Sequence, residues 1–306
     1  MNAAQNFKIV LKNFYYFCVG LVLIMLNKIR HQVEGYKTPR PFPITEINRS
    51  VEYDFGVVDH WIKFGKEYTG PSFSLNGRTI LELGPGADLG IGLITLMNGA
   101  RKYSAMDVHD LIRSVPAVFY EELFRRIDRI KEKEVSVDFL RAQLESARVG
   151  AGSRLNYLCT KSFDLSTLEG EGVDLVLSNS AFEHFDDVER TISQLSSITK
   201  KGALFIAEID FKTHTRWIKD VDPLNIYRYP RPLYDLFKFR GSPNRLRPFE
   251  YKEILERHGW SDIRMSSLEM VAEKPLSEVN GFLAKRFRDA KNEMRYLNVM
   301  LGAVKL

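Results

Sequence analysis

The stretch Thr79–Gly92, TILELGPGADLGIG, decides the fold. Its first five residues, Thr79–Leu83, are mostly apolar with the β-branched Ile80 inside the run, which suits a strand buried on both faces of a parallel sheet. Gly84 and Gly86 let the backbone turn sharply, and Leu89, Ile91, Leu93, Ile94 and Leu96 then space apolar side chains as the core face of a helix does. Strand, glycine turn and helix in this order make a nucleotide-binding unit. With no Cβ at positions 84 and 86 the backbone can press against a ligand, and the helix behind offers free N–H groups and the positive end of its dipole. A dinucleotide fingerprint would place a third glycine at position 89, where Leu89 stands. A tight turn in any α/β domain is the competing account.

Working outward, Lys102–Asp107 reads as a second strand ending in an acid about 20 residues past the glycines, the place from which a carboxylate accepts both ribose hydroxyls. Leu155–Leu158 is a third strand, Val173–Ser178 a fourth leading into Asn179, and Ala203–Ile209 a fifth leading into Asp210. Asp262–Val271 is a sixth strand and Leu297–Val304 the last. Helices are expected at Ser50–Gly70, carrying Val57, Val58, Trp61, Ile62 and Phe64, and at Phe249–His258 and Leu276–Arg288. The stretch 109–150 is an insertion of two helices, Val115–Lys131 and Val135–Arg148; it either caps a substrate pocket or adds an outer helix pair with no chemistry. The fold class is therefore α/β, a Rossmann-like, seven-stranded, mostly parallel sheet with helices on both faces and helical insertions.

With 306 residues, 44% of them hydrophobic, the chain can bury one large core with an appended cap. Cys18 and Cys159 are far apart and belong to no C-x-x-C or histidine cluster, so a reduced compartment with neither disulfide nor structural zinc is expected. Phe14–Leu26 is an unbroken apolar or aromatic run between Lys8 and Lys12 on one side and Lys28 and Arg30 on the other. It is shorter than the roughly 20 residues a spanning helix wants. Residues 1–30 are read as a membrane-attaching helix at the cytoplasmic face, where basic flanks stay, with a helix packed on the domain and a cleaved signal as alternatives. Residues 31–49, with three prolines in Tyr36–Pro43, read as a linker, and residues 50–306 as the main domain.

Glu82, two places before the first glycine, makes the turn E-x-G-P-G, which resembles motif I of the class I S-adenosylmethionine-dependent methyltransferases. The resemblance covers residues 50–306. It implies S-adenosylmethionine as cofactor, with Glu82, Gly84, Pro85 and Gly86 at its methionine end, Asp107 and Val108 at its ribose, Ser162 and Phe163 near adenine, and Asn179 close to the sulfonium. That family usually has glycine at position 88; Asp88 here implies a reshaped pocket for the amino-acid part. It also places Ser50–Gly70 over the cofactor, although plain core packing explains the same pattern. In small-molecule members an acid–histidine pair follows the fourth strand, as Glu183 and His184 do here. The D/N-P-P-Y/F signature of enzymes acting on base or amide nitrogens is missing, which argues against nucleic acid as substrate. The segments THTRW, DPLN and PNRLRPFEY resemble a bacterial subgroup often encoded with glycan-building enzymes.

The expected reaction is O-methylation of a small-molecule, sugar or glycan-precursor hydroxyl; the alternative is a membrane-attached cofactor-binding module without turnover. Transfer to a hydroxyl needs alignment and a base near neutral pKa, which points to histidine. Six are present. His31, His60 and His258 lie in outer segments and His109 follows the ribose acid, leaving His214, just after the fifth strand, as the expected base and His184 as second. His214 opens a second insertion, 211–249, in which nine Lys or Arg face three acids between Lys212 and Arg247, interleaved with Trp217, Tyr227, Tyr229, Tyr234, Phe237 and Phe239. This reads as a basic, aromatic surface for a sugar, an anionic head group or a membrane. Asn244, Arg245 and Arg247 are expected to clamp the acceptor through their forked donors.

Overall fold

Strand β1 (Thr79–Leu83) is buried along its whole length, Ile80 facing one layer of helices and Leu81 and Leu83 the other, as a period of two requires. It is the third strand of a seven-stranded sheet. In chain order the others are β2 (Lys102–Asp107), β3 (Leu155–Cys159), β4 (Val173–Asn179), β5 (Thr199–Asp210), β6 (Trp260–Met270) and β7 (Tyr296–Lys305). Their spatial order is 3-2-1-4-5-7-6, parallel except for β7, which runs antiparallel between β5 and β6. The order reverses between β1 and β4, so the crevice above their C-terminal ends is where a ligand sits in an open α/β sheet. The computed structural model describes residues 3–35, 44–151 and 154–306.

Nine α-helices surround the sheet among the described residues: α1 (Ala3–Glu34), α2 (Ile47–Thr69), α3 (Gly90–Met97), α4 (Ala117–Asp128), α5 (Val137–Arg148), α6 (Val188–Ile198), α7 (Arg231–Phe237), α8 (Pro248–Arg257) and α9 (Glu273–Asn280). One face of the sheet packs against α2 to α5 through Trp61, Leu93, Leu123 and Leu140, the other against α6 and α8 through Ile192, Leu195 and Leu255. Helices α4 and α5 thus form the outer pair. A groove of about 900 Å³ beside them, lined by Ile47, Val118, Phe124 and Arg141, shares no residue with the glycine turn or with Glu183 and His184.

Helix α1 is longer than its apolar run and lies on the domain. Asn13, Gly20 and Ile24 are buried beneath it, while Phe7, Val10, Leu11, Phe14, Val22, Met25, Leu26, Ile29 and Val33 form an exposed apolar stripe at helical spacing. Its inner face joins a third core made by the second insertion, with Leu224, Ile226, Tyr227, Tyr229 and Tyr234, and by Val279, Leu283 and Phe287. Asn225 Nδ2 donates to the Tyr16 carbonyl at 2.9 Å, and the Tyr229 hydroxyl to that of Phe17 at 3.1 Å. A Cβ at position 20 would run into the Asn225 amide oxygen and the Tyr229 hydroxyl, so any larger residue there forces both side chains to shift.

The three largest boundary differences from the sequence reading are these. The linker expected at 31–49 is helical at both ends, with α1 running to Glu34 and a 3-10 turn at Ile44–Glu46 opening α2; 36–43 lie outside the described residues. The helix expected at Leu276–Arg288 stops at Asn280, and the chain then turns through Lys285–Phe287 to seat Leu283 and Phe287 in the third core. Strand β5 begins four residues before Ala203, with Thr199 half-buried and 200–202 exposed.

Candidate active site

At the C-terminal end of β1 the chain turns through Gly84 (φ +73°) and Gly86 (φ +78°), left-handed values natural to glycine. A Cβ on Gly84 would meet that of Ala181 at 2.5 Å, so this glycine also lets β4's exit close on the turn; a Cβ on Gly86 would meet nothing within 4 Å, so the backbone there faces open space. Glu82 is 1% exposed, and neither carboxylate oxygen has a hydrogen-bond partner. Burial, with Asp88 and Asp107 nearby, holds its carboxyl well above the ordinary range. Asp88 accepts from the Gly90 amide at 2.9 Å, ordering the start of α3. It also lies against Asp54 of α2, whose carboxyl is raised by burial and by Asp88. Asp107 accepts from the His109 amide at 2.9 Å and is raised by burial, with the amides of His109 and Val108 opposing the shift.

Four carboxyl groups thus converge on one glycine turn with no lysine or arginine among the groups that shift the Glu82 and Asp54 carboxyls. An uncompensated acidic recess suits a ligand that brings its own cations, as S-adenosylmethionine does with its ammonium and sulfonium. The unpaired oxygens of Glu82 are the fit test, since a buried carboxylate without donors persists where a ligand supplies them. Helix α2 joins the recess: Asn179 Nδ2 donates to the Tyr53 hydroxyl at 2.8 Å, and Glu208, Asp54 and Glu82 add to burial in pushing that phenol up to about 12. Tyr53, Asp54 and Glu208 were not singled out from the sequence. Tyr53 and Asp54 had a signal, polar residues adjoining the apolar face of α2; Glu208 had none.

Ser162 is exposed in the turn after β3, and Phe163 (φ +48°) packs its ring on Phe185 at 4.7 Å. Asp164 accepts from the Ser166 amide and Gln194 Nε2, which commits it to the turn. Arg240 of the second insertion donates to the Lys161 carbonyl, and His31 of α1 stacks on Phe239 at 4.4 Å. The insertion and α1 therefore reach the edge of the cleft where adenine is expected.

The other end of the cleft lies beyond β4 and β5. Ser180 (φ +47°) turns the chain into a 3-10 turn, Phe182–His184, while β5 passes through Asp210 to His214. The rings of His184 and His214 meet edge to face at 4.7 Å, and His214 Nε2 stands 3.6 Å from Glu183 Oε1. His184 Nδ1 lies 2.6 Å from the Gly241 carbonyl and His214 Nδ1 2.8 Å from that of Lys212. A carbonyl only accepts, so each Nδ1 carries the proton and each neutral ring keeps its lone pair on Nε2. His214 keeps one side exposed, and its partial loss of solvent is outweighed by Glu183, Asp210 and the Lys212 carbonyl, which raise its pKa; burial lowers that of His184.

The expected acceptor clamp is corrected. Arg247 is 0% exposed and spends its donors on the carbonyls of Asn292, Glu293 and Tyr296 and on the Tyr227 hydroxyl, at 2.8–3.2 Å. Arg245 donates to the carbonyls of Ile226 and Tyr229, with its guanidinium 3.8 Å over the Tyr234 ring. Neither fork is open to an acceptor. Asn244 donates to the Phe182 carbonyl at 2.9 Å, and its amide to that of Glu183 at 2.7 Å, so it fixes the turn that carries Glu183 and His184. The basic, aromatic surface is corrected in part: Tyr227, Tyr229, Tyr234, Arg228, Arg245 and Arg247 are buried, with Arg228 paired to Asp222 at 2.7 Å, while Arg216, Lys219, Arg231, Lys238 and Arg240 stay exposed. Trp217 is 83% exposed, and Phe237 and Phe239 are half-buried.

Residues 118–207, from α4 into β5 and including Glu183 and His184, match a family model described as a methyltransferase domain. That match supports the reading of the chain as an S-adenosylmethionine-dependent methyltransferase. No curated protein matches the chain in sequence. Among solved structures it is similar to a putative S-adenosylmethionine-dependent methyltransferase from Listeria monocytogenes, at 15% identity over 82% of this chain and 99% of that one, TM-score 0.43. It is similar also to the CurJ carbon methyltransferase, at 13% identity over 100% of this chain and 71% of that one, TM-score 0.45. A third is phosphoethanolamine N-methyltransferase 2 of Haemonchus contortus in complex with S-adenosyl-L-methionine, at 13% identity over 83% and 52%, TM-score 0.41.

Proposed function

We propose that this methyltransferase O-methylates a hydroxyl of a small molecule, sugar or glycan precursor, held between the glycine turn and the Glu183–His184–His214 group. The observation that carries the reading is His214, whose Nδ1 proton is committed to the Lys212 carbonyl and whose basic Nε2 faces a buried carboxylate. That is the arrangement of a base whose tautomer is fixed on one side and whose charged form is stabilised on the other. Glu82, Gly84, Pro85, Gly86 and Asp88 would hold the methionine end of the cofactor, Asp107 and Val108 the ribose, Ser162 and Phe163 the adenine edge, and Asn179 the region of the sulfonium. The cofactor supplies an activated methyl group. The acceptor oxygen gives its proton to His214 Nε2 as it bonds the methyl carbon, and the electron pair of the broken S–C bond returns to sulfur. The acceptor is sought by incubating the protein with labelled S-adenosylmethionine and glycan, lipid and small-molecule extracts. Label on a hydroxyl supports the reading; label on carbon or nitrogen alone refutes it.

We further propose that α1 attaches the enzyme in the plane of a membrane's cytoplasmic face without crossing it. By length and composition α1 can span, but spanning would break the contacts of Asn13, Tyr16, Phe17, Asn27 and Lys28 with the domain. An outward apolar stripe among Lys8, Lys12, Lys28 and Arg30 is the composition of an interfacial helix. Phe14→Glu with Leu26→Glu should release the protein from anionic vesicles at unchanged Tm. Retention of the double variant through carbonate extraction would point to a spanning helix.

A further inference from the structure

The Glu183–His184–His214 group has a feature that a simple proton-transfer pair does not need. Glu183 is 2% exposed, and neither of its oxygens has a hydrogen-bond partner; His214 Nε2, at 3.6 Å, stands beyond that range. Lone pairs on a buried carboxylate are ordinarily met by donors or by a cation. One ring nitrogen of each histidine and one Glu183 oxygen lie within 4.8 Å of one another. Both imidazoles give their Nδ1 protons to backbone carbonyls, which leaves both Nε2 atoms as ligating nitrogens. The Glu183 amide carbonyl and the Phe182 carbonyl are held by Asn244, so the turn bearing two of the three side chains is braced from the second insertion.

We propose that Glu183, His184 and His214 bind one divalent first-row transition-metal cation at the acceptor end of the cleft. Two imidazoles and a carboxylate are the donor set of such ions, whereas Mg²⁺ and Ca²⁺ take oxygen ligands. Bonds of about 2.0–2.2 Å would bring the donor atoms to about 3.3 Å from one another, a small contraction by side-chain rotation. Three protein ligands leave a coordination position for the acceptor oxygen. The inference rests on the O-methylation reading and changes what His214 does in it. With its lone pair on the cation, His214 orients the ion, and the ion takes over activation of the hydroxyl. The acceptor O–H then loses its proton to water, the oxygen forms the C–O bond, and the S–C electron pair returns to sulfur.

The probe is Co²⁺, titrated into the full chain after chelator treatment and followed by its visible ligand-field bands. One equivalent should bind with a nitrogen-ligand spectrum, and Zn²⁺ should displace it. Glu183→Gln and His184→Gln should each weaken Co²⁺ binding by about 10²-fold or more, while S-adenosylmethionine binding, which reports a folded cleft, stays as in the wild type. Absence of Co²⁺ binding to the wild type, or equal binding by both folded variants, overturns the cation site and leaves His214 as base. A bound cation with turnover unchanged after chelation overturns its activating role. If no hydroxyl acceptor is found, the O-methylation reading fails, and the Co²⁺ titration still decides the site.

Discussion

The two ends of the cleft are built in opposite ways. At the cofactor end, Glu82, Gly84, Gly86 and Asp88 follow one strand within seven residues, and Asp107 closes its neighbour, so side chains close in sequence make most of the recess. At the acceptor end, Glu183 and His184 meet His214 from the next strand, His184 is tied to Gly241, and their turn is tied to Asn244. The first is local and leaves its charges unpaired for a ligand. The second is assembled from distant segments, its arginines Arg228, Arg245 and Arg247 committed to the interior while Glu183 is left without a hydrogen-bond partner. A charge count along a sequence therefore reports the site in one region and the scaffold in the other.

The comparison breaks first at His214. His214→Ala should cut turnover by about 10² to 10⁴ at unchanged cofactor affinity, measured by steady-state rates beside calorimetry; equal turnover would move the proton task to His184. Arg247→Ala comes next. It strips the donor from three carbonyls and a hydroxyl in the interior, so denaturant unfolding should show a loss of about 3–4 kcal/mol. A soluble, stable Arg247→Ala that loses only acceptor affinity would restore the clamp and undo the contrast. At the local end, Asp107→Ala should weaken S-adenosylmethionine binding by about 2–3 kcal/mol with little change in Tm. Tight NAD binding by the wild type, with none of S-adenosylmethionine, would remove the basis for that end altogether.

The smallest effect sharpens the contrast through pH. Glu82 is raised above its ordinary value, chiefly by burial and then by Asp88 and Asp107. Above the ordinary carboxylate range the ligand-free fold thus holds more protons than the unfolded chain, and its stability falls as pH rises toward the folded pKa. A cationic ligand meets the ionised form, so the Tm gain on adding S-adenosylmethionine should be larger at pH 8 than at pH 5. Glu82→Gln should flatten that dependence and stabilise the ligand-free protein by about 1 kcal/mol while weakening the cofactor. A ligand-induced Tm gain independent of pH would show that Glu82 does not meet the cofactor's charge.

The order of strands and the acid–glycine turn were legible because each is written in consecutive residues: β1 and β2 have the bounds their composition implies. The position of Glu183 and His184 after β4 was legible for the same reason. Tyr227, Tyr229, Tyr234, Arg245 and Arg247 were not, since interleaved bases and aromatics look alike whether they face water or one another. Their burial is decided by α1 and by the turns after α9, which stand far away in sequence. The apolar run of α1 had the same ambiguity, and the structure uses both of its sides, one on the domain and one outward.

Synthesis of the chain gives that helix a history. Tyr16 and Phe17 leave the ribosome 209 and 212 residues ahead of their partners Asn225 and Tyr229. At about 5–20 residues per second, roughly 10–40 s pass with the inner face of α1 unmatched. During that interval both sides of the helix are open to lipid or to a chaperone, and only the later arrival of the second insertion claims one of them. If α1 attaches as proposed, docking of the nascent helix on a bilayer precedes completion of the chain, and the order of translation sets where folding takes place.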